Sequence, residues 1–137
     1  MSILVDTSVW SMALRKKDKT SEEERIINFF TDIIRDLKLV IIGPIRQEIL
    51  SGISDKRRFE DLKSKLSVFE DVPIKTRDYE LAAQLFNECR SKGIQGSHID
   101  FLICAVSINN QFSIYTLDND FENYQKYIPI MLVGPGR

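Results

Sequence analysis

Short, uninterrupted apolar runs, set far apart and separated by stretches of helical periodicity, narrow what this sequence can fold into more than any other feature. Ile3-Leu4-Val5 and Leu39-Val40-Ile41-Ile42 are apolar throughout, residues 113–117 form a third run around Ile114, and Ile130-Met131-Leu132-Val133 forms a fourth. A strand that is apolar on both faces needs cover on both faces. Parallel sheets obtain that cover from the helices that their crossover connections lay against them. The expected fold is therefore α/β, a three-layer arrangement with a mainly parallel central sheet of four to five strands flanked by helices. With 137 residues and 43% apolar content, one domain spanning 1–137 is expected.

The helices are legible from spacing and caps. Val9, Met12 and Ala13 follow the first run at helical intervals. Ser21 and Glu24 have capping-box spacing ahead of Ile26, Ile27, Phe30, Ile33, Ile34 and Leu37. Gly43-Pro44 opens a helix that Gly52 ends, and Ser54 or Asp55 caps another whose apolar face is Phe59, Leu62 and Leu66. A short extended piece follows around Val68-Phe69. Thr76 caps a helix bearing Tyr79, Ala82, Ala83, Phe86 and Cys89 on one side, and Gly93 and Gly96 break it. Ser97 then caps a segment from Ile99 to Ile108 that is apolar nearly all round, the expected central buried helix.

Composition removes several chemistries. His98 is the single histidine, so two-histidine acid/base nucleases and histidine-rich zinc sites cannot be built. Cys89 and Cys104 form no C-x-x-C pair, which leaves neither a thiol redox motif nor a zinc-ribbon half-site. The opening residues lack the basic and then uniformly apolar make-up of a secretory leader, and no apolar run approaches the ~20 residues that cross a bilayer. A cytoplasmic chain with reduced thiols and no membrane contact is expected. The net charge of −1 is uninformative by itself. Setting four acids aside for a site leaves 19 bases against sixteen acids, a mildly basic remainder.

Chemistry must therefore run on carboxylates. Parallel α/β sheets place their sites beyond the carboxyl ends of the strands. Asp6 follows the first run directly and Asp118 follows Leu117, while Glu48 lies one turn into the Pro44 helix and Asp100 in the first turn of the buried helix. Like charges gathered at ~4 Å repel by roughly 4 kcal/mol at an effective dielectric near 20. A divalent cation turns that penalty into binding, and oxygen-only ligands suit Mg²⁺ or Mn²⁺. Such a site polarises a phosphate and activates water without any histidine.

At these residues the sequence resembles the PIN-domain nucleases, and within them the VapC-type toxins. The blocks that carry the resemblance are I-L-V-D-T-S-V-W at 3–10, P-I-R-Q-E-I-L-S-G at 44–52, S-H-I-D-F-L-I-C-A at 97–105 and Y-T-L-D-N-D-F at 115–121. The resemblance implies a PIN-like fold and a metal-dependent endoribonuclease, the toxin of a toxin–antitoxin pair, leaving 3′-hydroxyl and 5′-phosphate ends on tRNA, rRNA or mRNA. It implies Asp6, Asp100 and Asp118 as metal ligands and Glu48 as holding metal or water. Thr7 and Ser8 match hydroxyl positions that orient the first aspartate, and Asp120 shares in a second metal site or caps the helix containing Phe121. A homodimer and a cognate antitoxin that inserts a peptide into the acidic groove are likewise implied. His98 and Cys104 depart from the residues usual at their positions, and neither removes a carboxylate.

Each acid also has an ordinary structural role to set against the chemical one. Asp6 suits an N-cap, Asp100 a capping box with Ser97, Glu48 a solvated helix face, and Asp118 a turn in D-N-D. Arg15, Lys16 and Lys17, with Lys19, divide evenly between a solvated loop and RNA contact. Lys56, Arg57, Arg58, Lys63 and Lys65 fit a wet helix face first and RNA contact second. Two other readings compete: a catalytically silent PIN-like RNA- or protein-binding module, and a haloacid-dehalogenase-type phosphatase. The latter requires D-x-D after the first strand, and position 8 is Ser.

Overall fold

The computed structural model describes residues 1–15 and 17–137; Lys16, one of the basic candidates, lies outside the described residues. In chain order the elements are β1 (Ile3–Val5), α1 (Thr7–Leu14), α2 (Ser21–Arg35), β2 (Leu39–Val40), α3 (Gly43–Ser51), α4 (Lys56–Leu66), α5 (Thr76–Ser91), α6 (His98–Asn110), β3 (Ser113–Tyr115) and α7 (Asp120–Gln125). The sheet has the order β2-β1-β3 and both pairings are parallel. Ile3 sits opposite Leu39 and Ser113, Leu4 opposite Val40 and Ile114, and Val5 opposite Tyr115.

The sheet has three strands, not the four to five that the apolar runs suggested. The fourth run contributes one parallel bridge, Ile114 to Leu132, because only the two backbone groups of Ile114 pair with it, through Met131 C=O and Val133 N–H. On the opposite edge Val72 N–H bonds Ile41 C=O at 2.8 Å, giving another single bridge, Ile41 to Asp71. Both edges are thus closed by fragments too short to propagate a ladder.

Apolar content on both strand faces has the expected consequence. Ile3, Leu4, Val5 and Ile114 are buried, and α6 buries every residue from Phe101 to Ser107 as the central helix. Each large side chain so removed from water contributes about 1.5–3 kcal/mol. Two caps fall one residue earlier than spacing suggested. Thr20, not Ser21, closes the capping box of α2 with Glu23, and Lys75 occupies the N-cap position of α5, where the Asp78 side chain accepts its N–H at 2.8 Å. Ser97 caps α6 and Asp55 caps α4, each accepting the amide three residues on.

Candidate metal centre

From β1 the chain crosses to β2 on one side and later returns to lay β3 on the other side of β1. Strand order therefore reverses between β1 and β3, and the segments leaving their carboxyl ends diverge into a crevice. Asp6 follows β1 immediately; Thr116, Leu117 and Asp118 follow β3.

Asp6 occupies the N-cap position of α1, yet its side chain makes no capping bond. Its Oδ2 instead accepts from Ser8 Oγ and from Thr116 Oγ1, each at 2.8 Å, and the residue is only 8% exposed. Thr116 Oγ1 in turn accepts the Asp118 N–H at 3.0 Å, and Ser8 Oγ accepts the Leu117 N–H at 3.0 Å. The two hydroxyls thus lock the Asp6 carboxylate to the backbone that carries Asp118. Thr7 serves a different acid, donating from Oγ1 to Glu48 Oε1 at 2.8 Å on the exposed rim.

Asp100 donates its N–H to Ser97 Oγ at 3.0 Å, but its carboxylate does not close a capping box; Oδ2 accepts the Tyr124 hydroxyl at 2.7 Å. Burial pushes this carboxyl above the usual range, the Tyr124 and Ser97 hydrogen bonds oppose that, and the negative charges of Asp118 and Asp6 add to it. Asp118 Oδ1 accepts the Asp120 N–H at 2.9 Å, an Asx turn that starts α7. The turn role that D-N-D allowed is therefore filled, with the second carboxylate oxygen of Asp118 not used by this bond. Asp100, Asp118 and Asp120 each present a carboxylate oxygen, and these atoms lie within 4.8 Å of one another. Among the described residues no basic side chain pairs with any of the five acids.

At such spacing each pair of charges repels by roughly 3 kcal/mol at an effective dielectric near 20. An all-oxygen donor set, crowded and uncompensated by Lys or Arg, fits a hard divalent cation.

Two of the described basic candidates are engaged with groups of the chain itself. Arg15 pairs with Glu23, and Lys19 Nζ bonds the carbonyls of Arg15 at 2.6 Å and Lys17 at 3.3 Å. Arg15 and Arg58 nevertheless border a cleft of about 200 Å³ that also includes Glu48. His98 stacks on Phe86, with ring centroids 4.9 Å apart, in an apolar groove between α5 and α6.

The family model described as the PIN domain matches residues 3–127. The chain belongs to the PIN-domain family. PIN domains are generally nucleases, and PIN-domain nucleases use divalent metals. Among solved structures, the chain is similar to the crystal structure of FitAcB from Neisseria gonorrhoeae, at 19% identity and a TM-score of 0.78, covering 97% of each chain. VapBC2 from Rickettsia felis, bound to a DNA fragment from its promoter, matches at 17% identity and a TM-score of 0.76 over 97% of this chain and 98% of that one. DNA-bound VapBC from Salmonella typhimurium matches at 15% identity and a TM-score of 0.71 over 97% of both. At these identities the likeness shows the PIN fold. No curated protein matches the sequence.

Within this PIN domain, Asp100, Asp118 and Asp120 come together, Asp6 lies close enough to bear on Asp100, and Glu48 joins at the rim through Thr7. Sequence reasoning overlooked Thr116 and Tyr124. A hydroxyl two residues before Asp118 was a usable signal for the first. Tyr124, four residues beyond Asp120 on a helix, had the spacing of a same-face neighbour.

Proposed function

We propose that this PIN domain is a Mg²⁺- or Mn²⁺-dependent endoribonuclease and the toxin of a VapBC-type pair. The convergence of the Asp100, Asp118 and Asp120 oxygens within 4.8 Å at the switch point of the sheet carries the reading. Asp6, Asp100 and Asp118 would hold the cation, with Asp120 available for it or for a second one. When bound, the metal supplies charge stabilisation at phosphate and lowers the pKa of an attacking water. Asp6 is held in a single orientation by the Ser8 and Thr116 hydroxyls, so its charge is aimed before substrate arrives. Glu48, steered by Thr7, is the acid left on the rim to hold metal or water. Arg15 and Arg58, beside Glu48, and Lys17 supply positive charge for backbone phosphate.

The toxin assignment is supported by likeness over nearly the whole of both chains to chains of solved toxin–antitoxin complexes. A cognate antitoxin, a homodimer, a cytoplasmic setting and one domain over 1–137 belong to the same proposal. Among the described residues no helix is long and apolar enough to cross a membrane.

The test is cleavage of a mixed tRNA, rRNA and mRNA pool with Mn²⁺ and with EDTA, by wild type and Asp6→Asn. Cleavage with Mn²⁺ alone, abolished by EDTA and reduced on the order of 10³-fold or more in the variant, is expected. RNA binding without cleavage at full metal occupancy would favour the catalytically silent module instead.

A further inference from the structure

Tyr124 is completely buried, packed on Phe101 at 4.7 Å and Phe121 at 5.2 Å between ring centroids. A phenylalanine would serve that packing equally well. The hydroxyl, however, donates to Asp100 Oδ2 at 2.7 Å. Gly96 supplies a second, independent observation. A Cβ there would lie 2.3 Å from the Tyr124 hydroxyl oxygen, 2.7 Å from its Cζ and 2.8 Å from Phe101 Cε2. Gly93 and Gly136 adopt positive φ, whereas Gly96 does not. Gly96 is therefore required by space rather than by backbone conformation, and the space is that of the Tyr124 ring tip.

We propose that Tyr124, admitted by Gly96, is a positioning residue that holds the Asp100 carboxylate toward Asp118 and Asp120, where it would help to hold a cation. This rests on the metal-dependent reading given above. Without a tether, repulsion from its neighbours would turn Asp100 away until metal arrives, and each binding event would have to reorder it. The phenol engages one oxygen, Oδ2, and so fixes how the carboxylate is turned. Mg²⁺ demands a compact, well-ordered oxygen shell and gives up its waters reluctantly, so a carboxylate already held in place would favour its uptake.

The test measures Mn²⁺ affinity by the electron paramagnetic resonance of free Mn²⁺, alongside melting temperature without metal, for wild type, Tyr124→Phe and Gly96→Ala. Tyr124→Phe removes one oxygen and keeps the ring; its expected Mn²⁺ Kd rises about tenfold with far-ultraviolet circular dichroism unchanged. Gly96→Ala keeps the hydroxyl in the chain but displaces the Tyr124 ring tip and presses on Phe101, and the same direction of change in Mn²⁺ Kd is expected. A merely structural role would lower the metal-free melting temperature and leave the Mn²⁺ Kd alone. Either variant, folded and binding Mn²⁺ as tightly as wild type, overturns the positioning role while the metal reading stands. A wild-type chain that takes up no Mn²⁺ overturns both.

Discussion

The acids of the crevice fall into two groups that are held very differently. Asp6 and Asp100 are recessed, and each accepts hydroxyl hydrogen bonds that cross from another part of the chain, Thr116 to Asp6 and Tyr124 to Asp100. Glu48 and Asp120 are exposed; Glu48 receives one bond from Thr7. Asp118 joins the two groups, half-buried and bound to its own helix start. The difference shows how a fold concentrates negative charge without a counter-ion: hydroxyl dipoles fix the inner acids, and water screens the outer ones. Preorganisation should therefore matter most where burial is deepest.

The largest effect that separates charge from architecture is expected from Asp118→Asn. The amide keeps an oxygen for the Asp120 N–H, so the Asx turn survives while one charge leaves the crowded trio. Cleavage should fall on the order of 10³-fold. Metal-free stability should move the opposite way, up by roughly 1 kcal/mol, or about 3 °C in melting temperature, because repulsion is relieved. Differential scanning calorimetry with EDTA and with Mn²⁺ checks both halves: Mn²⁺ should raise the wild-type transition well above that of the variant. A variant less stable than wild type in EDTA would mean that the acids are not mutually repelling and that the inner–outer distinction is misplaced.

Thr116→Val and Thr7→Val put the distinction itself to the test, since each removes one hydroxyl from one acid. Thr116 serves Asp6 and also accepts the Asp118 N–H, so its loss disturbs two inner positions at once. A fall of about 10- to 100-fold in kcat, with RNA affinity unchanged, is expected there. Thr7→Val frees a solvated rim acid, and a fall below about tenfold is expected. Equal losses in single-turnover assays would show that burial does not set the value of a tether here.

Legibility in the sequence followed the range of each interaction. Element types, most caps and the central helix depend on residues three or four apart, and periodicity exposed them. The sheet was overcounted because an apolar run shows that a segment is buried, not how many of its backbone groups find a partner; residues 130–133 pair only through Ile114. Asp6, Glu48, Asp100 and Asp118 were singled out by position after strands and by resemblance. Their supports were not, because the bonds joining Thr116 to Asp6 and Tyr124 to Asp100 span 110 and 24 residues, and the only local cues lay in their spacing from Asp118 and Asp120 rather than from the acids they serve. Even Thr7 and Ser8, adjacent in sequence, divide between two acids, since one side chain turns toward Glu48 and the other toward Asp6.

The smallest effects are expected beside the outer acid Glu48, and they carry the comparison over to the basic residues. Arg15 is already paired with Glu23, whereas Arg58 has no carboxylate partner among the described residues, although both border the Glu48 cleft. An engaged guanidinium must give up its ion pair to meet a phosphate, an exchange worth little at an exposed site. A free guanidinium releases a counter-ion for each contact made. Arg58→Ala should therefore weaken RNA binding severalfold and flatten the salt dependence by about one unit of slope, with Arg15→Ala changing it less. Filter binding of RNA to Asp6→Asn protein across a salt series measures both slopes without interference from cleavage. A steeper loss for Arg15→Ala than for Arg58→Ala would show that the Glu23 pair opens when RNA arrives, and would move the phosphate path from α4 to the segment after α1.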